Sequence, residues 1–188
     1  MKNKIIKHNV ITRNIFNKIH LEQNKNLFSK SKVSNLISTK ILNLKNNYFL
    51  NKVCADLGCG STGLGALNLF NQGAKFVYLL DMNKHIIKPI KNNLKNFNNR
   101  YSIRIESIEK TSFKKNFFDF ILCQGVIHSA YNDNKCFKEI YRVLRKKGKC
   151  LITVLGDGGI ITDTLVQIIR PKYQQNTKFK KVIDKIIF

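Results

Sequence analysis

The chain has 188 residues and a mass of 21.8 kDa, enough for one domain with a full hydrophobic core and a squeeze for two. Hydrophobic residues make up 43% and no Ser/Gly-rich or Gln-rich tract interrupts them, which excludes a disordered chain. No apolar run reaches the ~18–20 residues of a membrane span, and the opening MKNKIIKHNV has no signal-peptide core, so the chain reads as a soluble, cytoplasmic protein.

Lys and Arg total 34 against 11 Asp and Glu, a formal charge of +23. Residues 1–52 hold 11 basic and one acidic residue, residues 53–169 hold 17 and 9, and residues 170–188 hold 6 and 1: two basic flanks around a better balanced centre. Lys far outnumbers Arg, and Asn and Ile are abundant, as an AT-rich coding sequence produces with no partner involved. A polyanion-binding surface is the competing reading. The five cysteines, at 54, 59, 123, 136 and 150, form no CxxC pair and no zinc-ligand spacing. They read as reduced thiols with no metal or iron–sulfur centre, and Cys54, Cys123 and Cys150, inside apolar runs, as small buried side chains.

In chain order, residues 1–50 form a basic arm with one helix, Ser34 to Leu44, facing inward through Leu36, Ile37, Ile41 and Leu44. Residues 51–156 form the core. Short runs rich in Val, Ile, Leu, Phe and Tyr predict strands at Val53–Asp56, Lys75–Asp81, Tyr101–Ile105, Phe117–Cys123 and Lys149–Leu155. Between them, Gly63–Gln72 reads as a helix stopped by Gly73. Asn83–Asn96 reads as a second helix with Ile86, Ile90 and Leu94 on one face, starting late or bending at Pro89. A third, Asn134–Arg145, puts Phe137, Ile140, Tyr141 and Leu144 inside with Glu139 and Arg142 exposed, and ends at Lys146-Lys147-Gly148. This alternation implies a mainly parallel twisted sheet covered by helices on both faces. Residues 157–188 form a short extension with helical stretches at 160–169 and 178–188 and a substrate loop or turn at Asp157.

The first strand runs into Leu57-Gly58-Cys59-Gly60-Ser61-Thr62-Gly63 and then a helix, a GxGxxG spacing that allows a tight turn and aims helix N–H groups at a polar ligand. Asp81 ends the second strand 21 residues after Gly60, where a carboxylate accepts hydrogen bonds from ribose hydroxyls. A dinucleotide and S-adenosylmethionine both fit. Asp56, two residues before the first glycine, favours the second, because a carboxylate repels pyrophosphate and attracts the ammonium of a methionine moiety.

These segments, VCADLGCGSTG, VYLLDMN and FFDFILCQGVIHSAYNDNKCFKEIYRVLRKKGKCLIT, resemble the class I S-adenosylmethionine-dependent methyltransferases, type 11 branch, over about residues 52–156. Lys147-Gly148-Lys149 departs from the paired glycines of that family. The resemblance implies an α/β, Rossmann-like methyltransferase fold. It places Asp56, Leu57, Gly58, Cys59, Gly60 and Gly63 around the methionine end, Asp81 on the ribose and Met82 beside the adenine. Ser107 stands where the family often has an Asp for the adenine amino group, with the Ile108 N–H toward the ring and help from Glu106 or Glu109, and Gln124 faces the cofactor from strand four. His128 is a candidate base, though its turn in this branch commonly serves to shape the site, and methyl transfer from a sulfonium needs chiefly an aligned, desolvated nucleophile.

The Asn/Asp-Pro-Pro-Tyr/Phe motif of DNA amino-methyltransferases and the Pro-Cys of cytosine-C5 enzymes are absent, since the only prolines are Pro89 and Pro171. A small-molecule acceptor is the leading expectation, with RNA (tRNA or rRNA) or a catalytically silent cofactor-binding subunit as alternatives. Only 33 residues follow Leu155, so the antiparallel C-terminal hairpin of the family is expected to be missing or shortened. An exposed fifth strand would then pair with another copy or with the N-terminal arm.

Overall fold

The computed structural model describes residues 37–154 together with Val10, Thr12, Asn14 and Asn176. The chain divides into two compact units, Met1–Val154 and Leu155–Phe188. The readings at Asp157, 160–169 and 178–188 lie outside the described residues.

Five strands form one sheet: β1 (Val53–Leu57), β2 (Phe76–Asp81), β3 (Tyr101–Ile105), β4 (Phe118–Gln124) and β5 (Leu144–Thr153). Their order is β3-β2-β1-β4-β5, with every pairing parallel. The inner strands β2, β1 and β4 are covered on both faces, so their sequences read as largely apolar runs. Cys54, Val77, Leu79, Phe120 and Leu122 belong to one core cluster, under α1 (Leu64–Asn71) and α2 (Ile87–Asn93), and Phe49 and Ile37 fill it from the N-terminal side. Ala55, Leu57, Leu80, Ile121 and Cys123 belong to the other, with Ile140 and Val143 of α3 (Asp133–Val143) and an interlocked group formed by Tyr78, Phe113, Phe117 and Phe118.

The expected α/β architecture is therefore present, and most boundaries fall within a residue or two. Gly73 ends the first helix at φ +93°, its N–H donating to the Phe70 carbonyl. Pro89 is the third residue of α2, where its missing N–H has no helical acceptor to serve, and a 3-10 turn, Lys84–Ile86, leads in.

Four expectations fail. The described part of Ser34–Leu44 is a run of turns, closed by Asn43 at φ +49°; Ile37 is buried while Ile41 is 60% exposed. In α3 the buried residues are Cys136, Glu139, Ile140 and Val143, whereas Phe137 and Tyr141 are exposed, so the inward face is turned by one residue from the expected one. β5 starts at Leu144, directly after the helix: Leu144 pairs with Phe118, residues 145–148 bulge outward with Lys147 at φ +63°, and the ladder resumes where Lys149 pairs with Phe120. Cys150, on that strand, is exposed and not buried.

Candidate active site

In a sheet of this order the chain reverses direction of growth between β1 and β4, and the loops at the carboxyl ends of those strands open a crevice. The loop after β1 is held by two N–H groups, of Gly58 at 2.6 Å and Cys59 at 3.1 Å, that share the Leu80 carbonyl at the end of β2. Gly58 has φ +79°, and a Cβ there would overlap the side chain of Val126 in the loop after β4. Glycine is needed here for conformation and for the approach of the two loops.

The carboxylate of Asp81 joins three segments. Its Oδ2 accepts the Gly60 N–H at 3.1 Å and its Oδ1 accepts the Asn83 N–H at 2.9 Å, which leaves a lone pair on each oxygen for a ligand hydroxyl. Asp56 has a different place. It is 4% exposed, it accepts the N–H of Ala66 in the first turn of α1, and a Cβ on Gly65 would overlap its carboxylate. Burial and the neighbouring charge of Asp81 raise its pKa to about 7.

A cleft of about 190 Å3 opens beside Asp81. Of the residues expected at the site, Gly58, Asp81, Met82, Ser107, Ile108 and Gln124 line it. Asp56, Leu57, Cys59, Gly60 and Gly63 are not among its lining residues: Leu57 is in the core, Gly63 faces Leu94 and Ile90, and Gly60 supports Asp81 through its N–H. The Cys59 thiol is buried and pushed well above its ordinary pKa by burial and by Asp56 and Asp81, which removes it as a nucleophile. His128 sits in the 3-10 turn Ile127–Ser129, exposed and outside the lining.

Glu106 and Glu109, expected as helpers beside Ser107, line the cleft as well, while Thr12 and Asn83 line it without any sequence signal for a site. Glu109 accepts the N–H groups of Tyr131 and Asn132 at 2.9 and 3.2 Å and so ties the loop after β3 to the entry of α3. Glu106 is occupied by Ser112, whose N–H and Oγ–H reach it at 2.8 and 2.6 Å. Thr12 reaches the cleft from the N-terminal segment. Asn83 lines it too, and its Nδ2 is, among the described residues, the buried side-chain polar atom without a hydrogen-bond partner. No group of three or more His, Cys, Asp or Glu side chains among the described residues is placed to hold a metal ion, and no described helix is long and apolar enough to cross a membrane.

The strand order and the helices on both faces define a Rossmann-like α/β fold. A model of the type 11 methyltransferase domain matches residues 55–152, just over half of the chain, and the chain belongs to that family of S-adenosylmethionine-dependent methyltransferases. No curated protein matches it. Among solved structures, a protein from Methanococcus maripaludis assigned as an S-adenosyl-L-methionine-dependent methyltransferase is 24% identical with a TM-score of 0.61, over 92% of this chain and 83% of its own. One from Bacillus halodurans assigned as a methyltransferase is 19% identical with a TM-score of 0.60, over 82% and 68%. The [4+2]-cyclase SpnF is 19% identical with a TM-score of 0.53, over 59% of this chain and 43% of the cyclase. These likenesses show the fold.

The residues present suit the family's methyl donor: a carboxylate with free acceptor capacity, an apolar wall from Met82, Ile108 and Val126, and a buried amide donor waiting for an acceptor.

Proposed function

We propose that the chain transfers the methyl group of S-adenosylmethionine to a small-molecule oxygen, nitrogen or carbon nucleophile. The observation that carries the cofactor part of this reading is Asp81, braced by the Gly60 and Asn83 N–H groups at the wall of the cleft. One structure of this fold is a [4+2]-cyclase, so the fold alone does not carry methyl transfer; the family match does.

The cofactor supplies an activated methyl group on a sulfonium. In this reading Asp81 accepts the ribose hydroxyls, Met82 and Ile108 flank the adenine, Ser107 meets its amino group, and Gln124 closes the side toward the acceptor. Asp56 acts from below, fixing the glycine loop on the first turn of α1. The acceptor enters along Gln124 to Ala130, where positioning and exclusion of water do the catalytic work. His128, exposed and outside the lining, shapes that turn, and His128→Ala is expected to keep kcat within a few-fold. A hundredfold loss would restore it as a base.

Calorimetric titration with S-adenosylmethionine and S-adenosylhomocysteine tests the reading, with NAD as control. Micromolar binding, lost in Asp81→Ala, is the expected result, and no binding of either sulfur compound would overturn it. A second reading, an RNA acceptor, is favoured by one surface feature: Lys84, Lys88, Lys91 and Lys95 recur at helical spacing, all exposed, on the segment that leaves the cleft at Asn83.

A further inference from the structure

Resting on that cofactor reading, we propose that Asn83 is a ligand-contacting residue whose side-chain amide donates a hydrogen bond to a sugar hydroxyl oxygen of the bound nucleoside. Asn83 is 2% exposed and lines the cleft two residues after Asp81. Its orientation is fixed on two sides. The backbone N–H donates to Asp81 Oδ1 at 2.9 Å, and the side-chain Oδ1 accepts the His85 N–H at 2.9 Å, capping the turn Lys84–Ile86. Because Oδ1 must face an N–H group, the amide cannot be flipped, and Nδ2 is the atom left without a partner.

Capping explains Oδ1 and leaves Nδ2 unexplained. Aspartate would cap the turn as well and would bury no donor. An unpaired buried N–H is costly, so its retention beside a cleft points to an acceptor that arrives with the ligand. An amide donor has nothing to offer an ammonium or sulfonium, and the adjoining Asp81 carboxylate repels the methionine carboxylate, which leaves the oxygens and ring nitrogens of the nucleoside. Asp81 adjoins it with acceptor capacity to spare. A hydroxyl placed between the two donates to the Asp81 carboxylate and accepts from Asn83, so both of its hydrogen-bonding roles are met.

The test is titration of the full chain with S-adenosylhomocysteine, adenosine, 2′-deoxyadenosine and 3′-deoxyadenosine, for the native chain and for Asn83→Ser, which keeps the cap and deletes the amide. The expected result is a roughly tenfold weaker affinity of Asn83→Ser for S-adenosylhomocysteine and adenosine at unchanged Tm, and no weakening for the deoxynucleoside lacking the contacted hydroxyl. Should Asn83→Ser fold poorly, Asn83→Asp, which preserves the Oδ1 bond to His85 and replaces the donor by an acceptor, is expected to lose at least as much. Native-chain binding with unchanged affinity in the folded variant, or equal loss for all four ligands, overturns this inference alone. Absence of binding by the native chain overturns the cofactor reading and this inference with it.

Discussion

Asp56 is a carboxyl group with almost no contact with water, one backbone N–H for company and a second carboxylate nearby. Its pKa stands at about 7 in the folded chain, above the 3.8 of the open side chain. The folded state thus holds this proton more tightly than the unfolded one. The stability it contributes is fully present below pH ~4 and is lost as pH rises to about 7, with no further loss beyond. Thermal unfolding followed from pH 4 to 8 should show that decline, and Asp56→Asn, which keeps a neutral polar group of the same size, should flatten it. Gly65→Ala is expected to unseat the same carboxylate, because the added methyl group overlaps it, and to lower Tm at every pH. At this scale the sequence exposes the glycines and the two acids, since spacing after a strand is enough to mark them. It does not reveal that Asp56 points under a helix or that Asn83 ends with an idle donor. Both depend on which neighbour meets each side chain, and those neighbours, Ala66 and His85, carry no signal of their own.

The helix α3 shows how a polar contact overrules an apolar pattern. Hydrophobicity alone places Phe137 and Tyr141 inside, yet they are 45% and 82% exposed, and the chain buries Glu139 instead. The Glu139 carboxylate accepts the Thr111 N–H and Oγ1–H at 2.7 and 2.6 Å and both Nε and Nη2 of Arg142, while Arg142 Nη2 continues to the Phe113 carbonyl. Bonds to Arg142 and Thr111 outweigh the effect of burial and lower the Glu139 pKa to about 2. The stabilisation is present above pH ~4.5 and is lost as pH falls toward 2, the opposite direction from Asp56. Since a buried, fully bonded carboxylate fixes the rotation of the helix, Glu139→Ala should cost about 2–3 kcal/mol by leaving the Thr111 N–H without a partner and Arg142 with only its carbonyl contacts. Ile140→Ala should cost about 2–5 kcal/mol and Tyr141→Ala no more than about 0.5 kcal/mol. Urea unfolding of the three variants measures all of these, and a Tyr141→Ala loss as large as that of Ile140→Ala would reinstate the expected face. Strands were easier to read than this helix. A strand buried on both faces needs only an apolar run, and β1, β2 and β4 have one, while β3 at the sheet edge is marked by its β-branched and aromatic residues; the start of β5 carries no such mark, because the bulge at residues 145–148 is polar while Leu144 already pairs with Phe118.

For the molecule as a whole, the sheet order places the cleft at the carboxyl ends of β1, β2 and β4, and the parallel topology was legible from the alternation of elements. Charge is the property that the sequence leaves ambiguous, because composition and function both produce lysine. The structure narrows the question to a surface. From residue 82 to residue 105 there are six basic residues and no acid. Arg100 is engaged with the Ala74 carbonyl and stacked on Phe70 and Phe97, and Arg104 lies over Phe113. Lys84, Lys88, Lys91 and Lys95 form the exposed row opposite the buried Ile86, Ile90 and Leu94, about 16 Å long at a rise of ~1.5 Å per residue. With its apolar side in the core, this segment presents the lysine row outward. If RNA binds there, log affinity for tRNA falls linearly against log salt, and changing all four lysines to Gln reduces the slope by about 3. The same exchange at Lys110, Lys114, Lys115 and Lys146, exposed residues outside this row, should change it far less. Equal reductions from both sets would mark the charge as a diffuse product of composition and remove the lysine row as support for an RNA acceptor.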